Sequence, residues 1–222
     1  MTEISLIEVY KIVDSFFKYF EGNFLVEHFA RNYYGKRGFK RYLSMKDIMA
    51  LNIYRFFMQF SNLKAFHRFA NEYLKERYPN FPNYENFLKA TNKSFPMMML
   101  FVNSVLAKNR EKCAGETIHF IDSTPVEVCK NNKISRHKVA KDCASRGKST
   151  KGWFFGFKLH GICTADMIVE SLTFTTGSVH DSKMAQKLTK DIIGKAFADA
   201  GYQLKSEVLS EMADDGVFMH NA

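Results

Sequence analysis

Ile118-His119-Phe120-Ile121-Asp122-Ser123-Thr124-Pro125 is the stretch on which the reading of the fold turns. A short apolar run suits a buried strand, and an acid followed by Ser, Thr and Pro reads as the end of that strand and the start of a turn. Ala196-Phe197-Ala198-Asp199-Ala200-Gly201-Tyr202 repeats the order downstream. A carboxylate at a sheet edge can offer oxygen ligands to a hard divalent cation, so Asp122 and Asp199 together make half of a metal site. Phosphoryl transfer is one chemistry that uses such a pair. Each aspartate could equally start a turn or cap a helix.

Working outward, the chain changes character near residue 115. Upstream, apolar residues recur at helical spacing: Leu6, Val9, Val13, Phe16 and Phe20 mark one face, and Ile48, Leu51, Tyr54 and Met58 another. Ser44 and Asn62 sit where helix N-caps belong. The helices on either side of Gln59-Phe60-Ser61-Asn62 could form a helix-turn-helix or part of an ordinary bundle. The segment Tyr78-Pro79-Asn80-Phe81-Pro82-Asn83 breaks the helical run, and a further helix is expected over 97–108. Downstream, 118–121, 153–162, 168–174 and 195–198 read as strands and 182–193 as a helix, N-capped by Asp181. The expected organisation is a helical, candidate DNA-binding domain over 1–114 and a mixed α/β domain over 115–222.

The 222 residues, 46% of them hydrophobic, can bury a sizeable core. Thirty-two Lys and Arg against 23 Asp and Glu give a net charge of +9, which favours a polyanionic partner: nucleic acid, or an anionic membrane surface. Cys113, Cys129, Cys143 and Cys163 form no C-x-x-C pair and no dense framework, so neither a zinc site nor a disulfide scaffold is expected. The N-terminus lacks a basic segment followed by an apolar one, and the apolar run 97–102 is too short to span a bilayer. A cytoplasmic protein with no membrane partner is expected.

Positive charge concentrates in residues 130–151, where Lys130, Lys133, Arg136, Lys138, Lys141, Arg146, Lys148 and Lys151 face a single acid, Asp142. Such a segment, rich in Asn, Ser and Gly, suits a flexible arm along a phosphate backbone, with Trp153, Phe154 and Phe155 beside it for core packing or base stacking. Arg31, Lys36, Arg37, Lys40 and Arg41 form a second cluster around Gly35 and Gly38. His119 and His160, inside apolar strands, read as satisfied core residues, and no histidine has metal-motif spacing.

The ordered series Ile121-Asp122-Ser123-Thr124-Pro125, Arg136-His137-Lys138, Arg146-Gly147-Lys148-Ser149, Gly152 to His160, Gly177-Ser178-Val179-His180-Asp181 and Asp199-Ala200-Gly201-Tyr202 resembles the DDE-type insertion-sequence transposases, especially family nine-eight-two. The resemblance covers 121–202. It implies an α+β chain in which an N-terminal helical domain precedes a ribonuclease-H-like α/β domain. It also implies two divalent ions, Mg2+ or Mn2+, double-stranded DNA at transposon ends as partner, and an architecture compatible with a homo-oligomer. By motif position Asp122 and Asp199 are the first two acids of the catalytic triad. The third, a glutamate on a later helix, has no counterpart before Ala222; Glu207, Glu211, Asp214 and Asp215 read as a solvated face. A C-terminally truncated transposase of impaired activity is therefore expected, the alternative being a non-catalytic DNA-binding remnant.

Overall fold

A computed structural model describes residues 4–35, 42–138 and 140–221. It divides into two compact units, Met1–Ser104 and Val105–Ala222.

Among the described residues the first unit is helical. Helix α1 (Leu6–Tyr19) opens with a capping box between Ser5 and Glu8, which satisfies N–H groups that the first turn leaves without partners, and it buries Leu6, Val9, Val13 and Phe16. Asn23 caps α2 (Phe24–Tyr34), and Gly35, at φ 75°, takes the left-handed turn that ends it. Arg31 lies in the last turn of α2, whereas Lys36, Arg37, Gly38, Lys40 and Arg41 of the second basic cluster lie outside the described residues. Ser44 and Asp47 form a second capping box on α3 (Met45–Phe57), which is buried along Met45, Ile48, Met49, Ala50, Leu51 and Asn52. Met58, expected on the same apolar face, follows the last turn and is exposed. Asn62 caps α4 (Leu63–Tyr73).

Helix α5 runs over Tyr84–Lys112, well beyond the 97–108 expected, and carries Pro96 inside it. An internal proline removes one helical hydrogen bond and costs about 3 kcal/mol. Phe87, Ala90 and Met97, buried on both sides of Pro96, offset that cost through packing. No helix among the described residues is long and apolar enough to cross a membrane.

The second unit is built on a six-stranded mixed sheet. Strand β1 (Ile118–Cys129) pairs antiparallel with β3 (Gly152–Thr164), and on its other side Ile118–Ile121 pairs parallel with β5 (Gly194–Ala198), which in turn pairs parallel with β6 (Val217–Asn221). The far edge of β3 is shared: β2 (Ser145–Ser149) runs along its first part and β4 (Val169–Thr176) along the rest. Strand β1 corrects the expectation that it stops at Ile121, since it continues through Asp122 and Pro125 to Cys129. Among the described residues it has no strand neighbour on the β5 side beyond Ile121, and proline is tolerated on such a stretch of edge.

One face of the sheet packs on α6 (Ala185–Thr189) and α7 (Ser206–Asp214), burying Ile121, Ile162, Ala185, Leu188, Ala196, Tyr202, Met212 and Val217. The helix expected over 182–193 is thus a 3-10 turn, Asp181–Met184, followed by the short α6. On the other face Ile118, Phe120, Phe174, Phe197 and Phe218 remain exposed. Strand alternation decides the consequence for the site: Asp122 follows Ile118 and Phe120 to the open face, while Ser123 follows His119 and Ile121 to the helix side.

Candidate functional site

Ile121 and Ala198 are the last pair of the parallel β1–β5 ladder. Asp122, within β1, and Asp199, one residue past the end of β5, follow it directly on neighbouring backbones that run about 4.8 Å apart along the ladder. Each carboxylate is held by a nearby backbone donor: Ser123 N–H donates to Asp122 Oδ1 at 2.7 Å, and Gly201 N–H donates to Asp199 Oδ1 at 3.0 Å. Asp199 in this way also caps the 3-10 turn Ala200–Tyr202, so a capping role and a site role coexist in one side chain. Opposite Asp122 on β3 stands Gly161, and a cavity of about 460 Å3, lined by Phe120, Thr124, Leu159, Met167 and Leu172 among others, adjoins the carboxylate.

A third aspartate, Asp181 of the 3-10 turn after β4, lies with Ser123 on the helix side of the sheet. Asp181 Oδ1 accepts from Lys158 Nζ at 2.9 Å and from Ser123 Oγ at 3.0 Å, and His160 Nδ1 lies 3.6 Å away. Asp181 does not cap the following turn as expected. His180 holds that position, its ring accepting from Ser182 N–H, which frees the Asp181 carboxylate to face β1 and β3. Lys158 is buried although cationic, because Asp181 supplies the compensating charge. His160 is fully buried, with Nε2 on Thr175 Oγ1 at 2.8 Å and Nδ1 without a hydrogen-bond partner. Burial depresses its pKa below the ordinary histidine range, against the pull of Asp181 and with the help of Lys158.

Tyr202, fully buried, closes the cluster from the β5 side. Burial raises the pKa of its hydroxyl, and the charges of Asp181, Asp122 and Asp199 all act in the same direction. A Cβ on Gly201 would stand 3.0 Å from Asp199 Oδ1 and 3.3 Å from Asp181 Oδ2, so the backbone there passes close to both carboxylates. The cluster joins side chains from β1, β3, the loop after β4 and the segment after β5. Sequence reasoning missed Lys158 and Asp181 as partners; the signal available was a lysine at an inward-facing position of an otherwise apolar strand.

His119 is satisfied as expected: it is buried, with Nδ1 2.7 Å from Glu170 Oε2 and Nε2 3.2 Å from Ile193 O. Glu207, Glu211, Asp214 and Asp215 are exposed on or after α7, and Glu211 accepts from Gln186 of α6. Among the described residues no group of three or more His, Cys, Asp and Glu stands ready to hold a metal ion.

The basic segment differs from the flexible arm expected. It contains a 3-10 turn, Asn131–Arg136, and strand β2. Arg146-Gly147-Lys148-Ser149 becomes a strand because Gly147, buried and without a side chain, lets β2 lie against the Gly177 carbonyl and the Phe154 ring, both of which a Cβ would strike. Lys130, Lys133, Arg136, Lys138, Lys141, Arg146, Lys148 and Lys151 are all exposed. Phe154 and Phe155 are core residues, but Trp153 is 64% exposed.

No match is found among curated proteins, and none among solved structures. Residues 112–222, the segment that carries Asp122, Lys158, Asp181 and Asp199, match the family of the transposase DDE domain, and the chain belongs to that family.

Proposed function

We propose that this protein is a transposase that cleaves and joins DNA strands at the ends of an insertion sequence, with Asp122 and Asp199 holding the divalent cation the reaction requires. The observation that supports the reading is that Asp122 and Asp199 directly follow Ile121 and Ala198, the last pair of the parallel β1–β5 ladder. The antiparallel trio β4-β3-β1, continued by parallel β5 and β6 with helices packed on one face, supports a ribonuclease-H-like domain.

Carboxylate oxygens are hard donors and suit Mg2+ or Mn2+. Each aspartate is oriented by one backbone N–H, which fixes its direction without consuming its capacity to ligate. When bound, the cation supplies a lowered pKa for the attacking water or hydroxyl and charge stabilisation for the leaving oxygen. The protein's own contribution is positional. Lys158 and Ser123 lock Asp181, whose carboxylate lies close to the backbone at Gly201, beside Asp199. The exposed cations of 130–151 neutralise phosphates and bring the duplex to the sheet edge.

The test is incubation of the full chain with DNA containing the genomic sequence that flanks its coding region on both sides, with Mg2+, Mn2+ or EDTA. Metal-dependent cutting at the element's ends, abolished by Asp122→Ala and by Asp199→Ala, is expected. Salt-sensitive binding without cutting in any metal would favour DNA binding without chemistry. Cutting that survives both substitutions would overturn the assignment of the site.

A further inference from the structure

We infer that Trp153, Arg146 and Asn131 form a pocket for an unpaired nucleobase, so that the protein captures a nucleotide lifted out of, or overhanging, the duplex; this rests on the proposed action on DNA. These residues, with Ile134, line a cavity of about 400 Å3 between the 3-10 turn after β1 and the β2–β3 hairpin. That volume lies within the range of about 300 to 1,000 Å3 typical of small-ligand sites.

Three observations favour a base over bare phosphate contact. The first is Trp153 itself: its neighbours Phe154 and Phe155 enter the core, whereas Trp153 leaves most of its surface to solvent at the pocket wall. A large aromatic kept exposed beside cations is a platform on which any base can stack. The second is the register of the hairpin. Trp153 stands opposite Lys148 and Phe155 opposite Arg146, so both cations share the face of Trp153 and lie within cross-strand reach of it. Arg146 belongs to none of the ion pairs found among the described residues, so its guanidinium is available to a phosphate or to the edge or face of a base. The third is Asn131. One of its amide hydrogens is committed to Trp153 O at 2.6 Å, which fixes the side chain against the platform. Its other hydrogen and its carbonyl oxygen form the donor and acceptor pair that reads a base edge.

The pocket is separate from the aspartate cluster. Its lining comes from the start of β3, the middle of β2 and the turn after β1, whereas Asp122 faces Gly161 further along β3. It can therefore be altered with Asp122, Lys158, Asp181 and Asp199 left in place.

Trp153 is the chain's one tryptophan, so its fluorescence reports on the pocket alone. The probes are a fluorescein-labelled blunt 20-base-pair duplex, the same duplex with a three-nucleotide single-stranded overhang, and the overhang duplex with abasic sugars in place of its three bases. Binding is read by anisotropy and pocket occupancy by Trp153 quenching, both in EDTA to prevent cutting. The overhang is expected to bind more tightly than the blunt duplex and to quench Trp153 with the same midpoint as its anisotropy. The abasic overhang should behave like the blunt duplex. Trp153→Ala should weaken overhang binding about 5- to 150-fold, the equivalent of about 1 to 3 kcal/mol of stacking at 1.4 kcal/mol per tenfold, and leave blunt-duplex binding unchanged. Trp153→Phe should recover part of the loss, which a fold defect would not. Equal binding of all three DNAs with no quenching, or an overhang affinity indifferent to Trp153→Ala, overturns the pocket while DNA binding stands. Failure of every DNA to bind at low salt overturns the pocket and the proposed function together.

Discussion

The Lys158 ammonium donates to the Asp181 carboxylate at 2.9 Å across the edge of the sheet, with side chains only 10% and 18% exposed. Opposite charges held this far from water compensate each other's lost hydration, and Ser123 Oγ satisfies a further lone pair of the carboxylate. The pair ties β3 to the loop after β4, and through Ser123 it ties both to β1, directly behind Asp122. It is a brace for the candidate site.

Removing one partner should therefore cost more than removing both. Lys158→Met leaves a mostly buried carboxylate uncompensated and is expected to destabilise the chain by about 2 to 4 kcal/mol. The double change Lys158→Met with Asp181→Asn, which leaves no charge, should recover more than half of that loss. Urea denaturation of the wild type, the single variants and the double variant measures the coupling. Additive losses would mean that the ammonium and the carboxylate act independently.

Protonation of His160 supplies a pH dependence. Its folded-state pKa is depressed, chiefly by burial, below the value of about 6.5 it has in the unfolded chain. Below that value the unfolded state binds a proton that the folded state resists, so stability rises with pH through this window. The histidine's contribution is fully present above about pH 6.5 and is lost as pH falls towards the folded pKa. Denaturation midpoints between pH 5 and 8 should fall on the acid side, and His160→Asn should flatten that fall. An identical pH profile for the variant would rule the residue out as its source.

Glycine requirements separate close packing from backbone freedom. At Gly147 an added methyl would meet the Gly177 carbonyl and the Phe154 ring, so Gly147→Ala must push β2 from its place and should cost about 1 to 3 kcal/mol. Gly115 has open space around its Cβ position and no positive φ, so Gly115→Ala should be neutral to within about 0.5 kcal/mol. Thermal unfolding of the two variants side by side checks the contrast. If Gly147→Ala proves as mild as Gly115→Ala, β2 does not pack as described.

Much of the fold was legible because local chemistry and tertiary environment agree. Ser44 and Asn62 cap the helices that follow them, and the apolar runs before Asp122 and Asp199 are neighbouring strands. The misreadings fall where a local signal was overridden at a distance. The expected helix began only at residue 97 and Pro125 read as part of a turn, yet packing carries α5 through Pro96 and an unpartnered edge admits Pro125. Arg146-Gly147-Lys148-Ser149 read as a loop because nothing local shows that Gly147 meets Gly177, 30 positions away. Asp181 read as a cap because its partners, Ser123 and Lys158, lie on strands distant in sequence.

Charge in residues 130–151 sets the last expectation. Its eight cations are exposed and carried on a 3-10 turn, a strand and their connections, so several of them can meet phosphates at once. If about five phosphates are neutralised, log affinity for duplex DNA should fall against log salt with a slope of roughly −4.5. Lys133→Ala with Lys138→Ala removes two such contacts and should make the slope shallower by about 1.8, with little change in stability, since both side chains are exposed. Anisotropy titrations from about 50 to 200 mM salt measure both slopes on a range where the electrostatic contribution dominates. A slope unchanged by the double substitution would place the phosphate contacts elsewhere, whereas a flat response in the wild type would remove electrostatic DNA binding as the role of this segment.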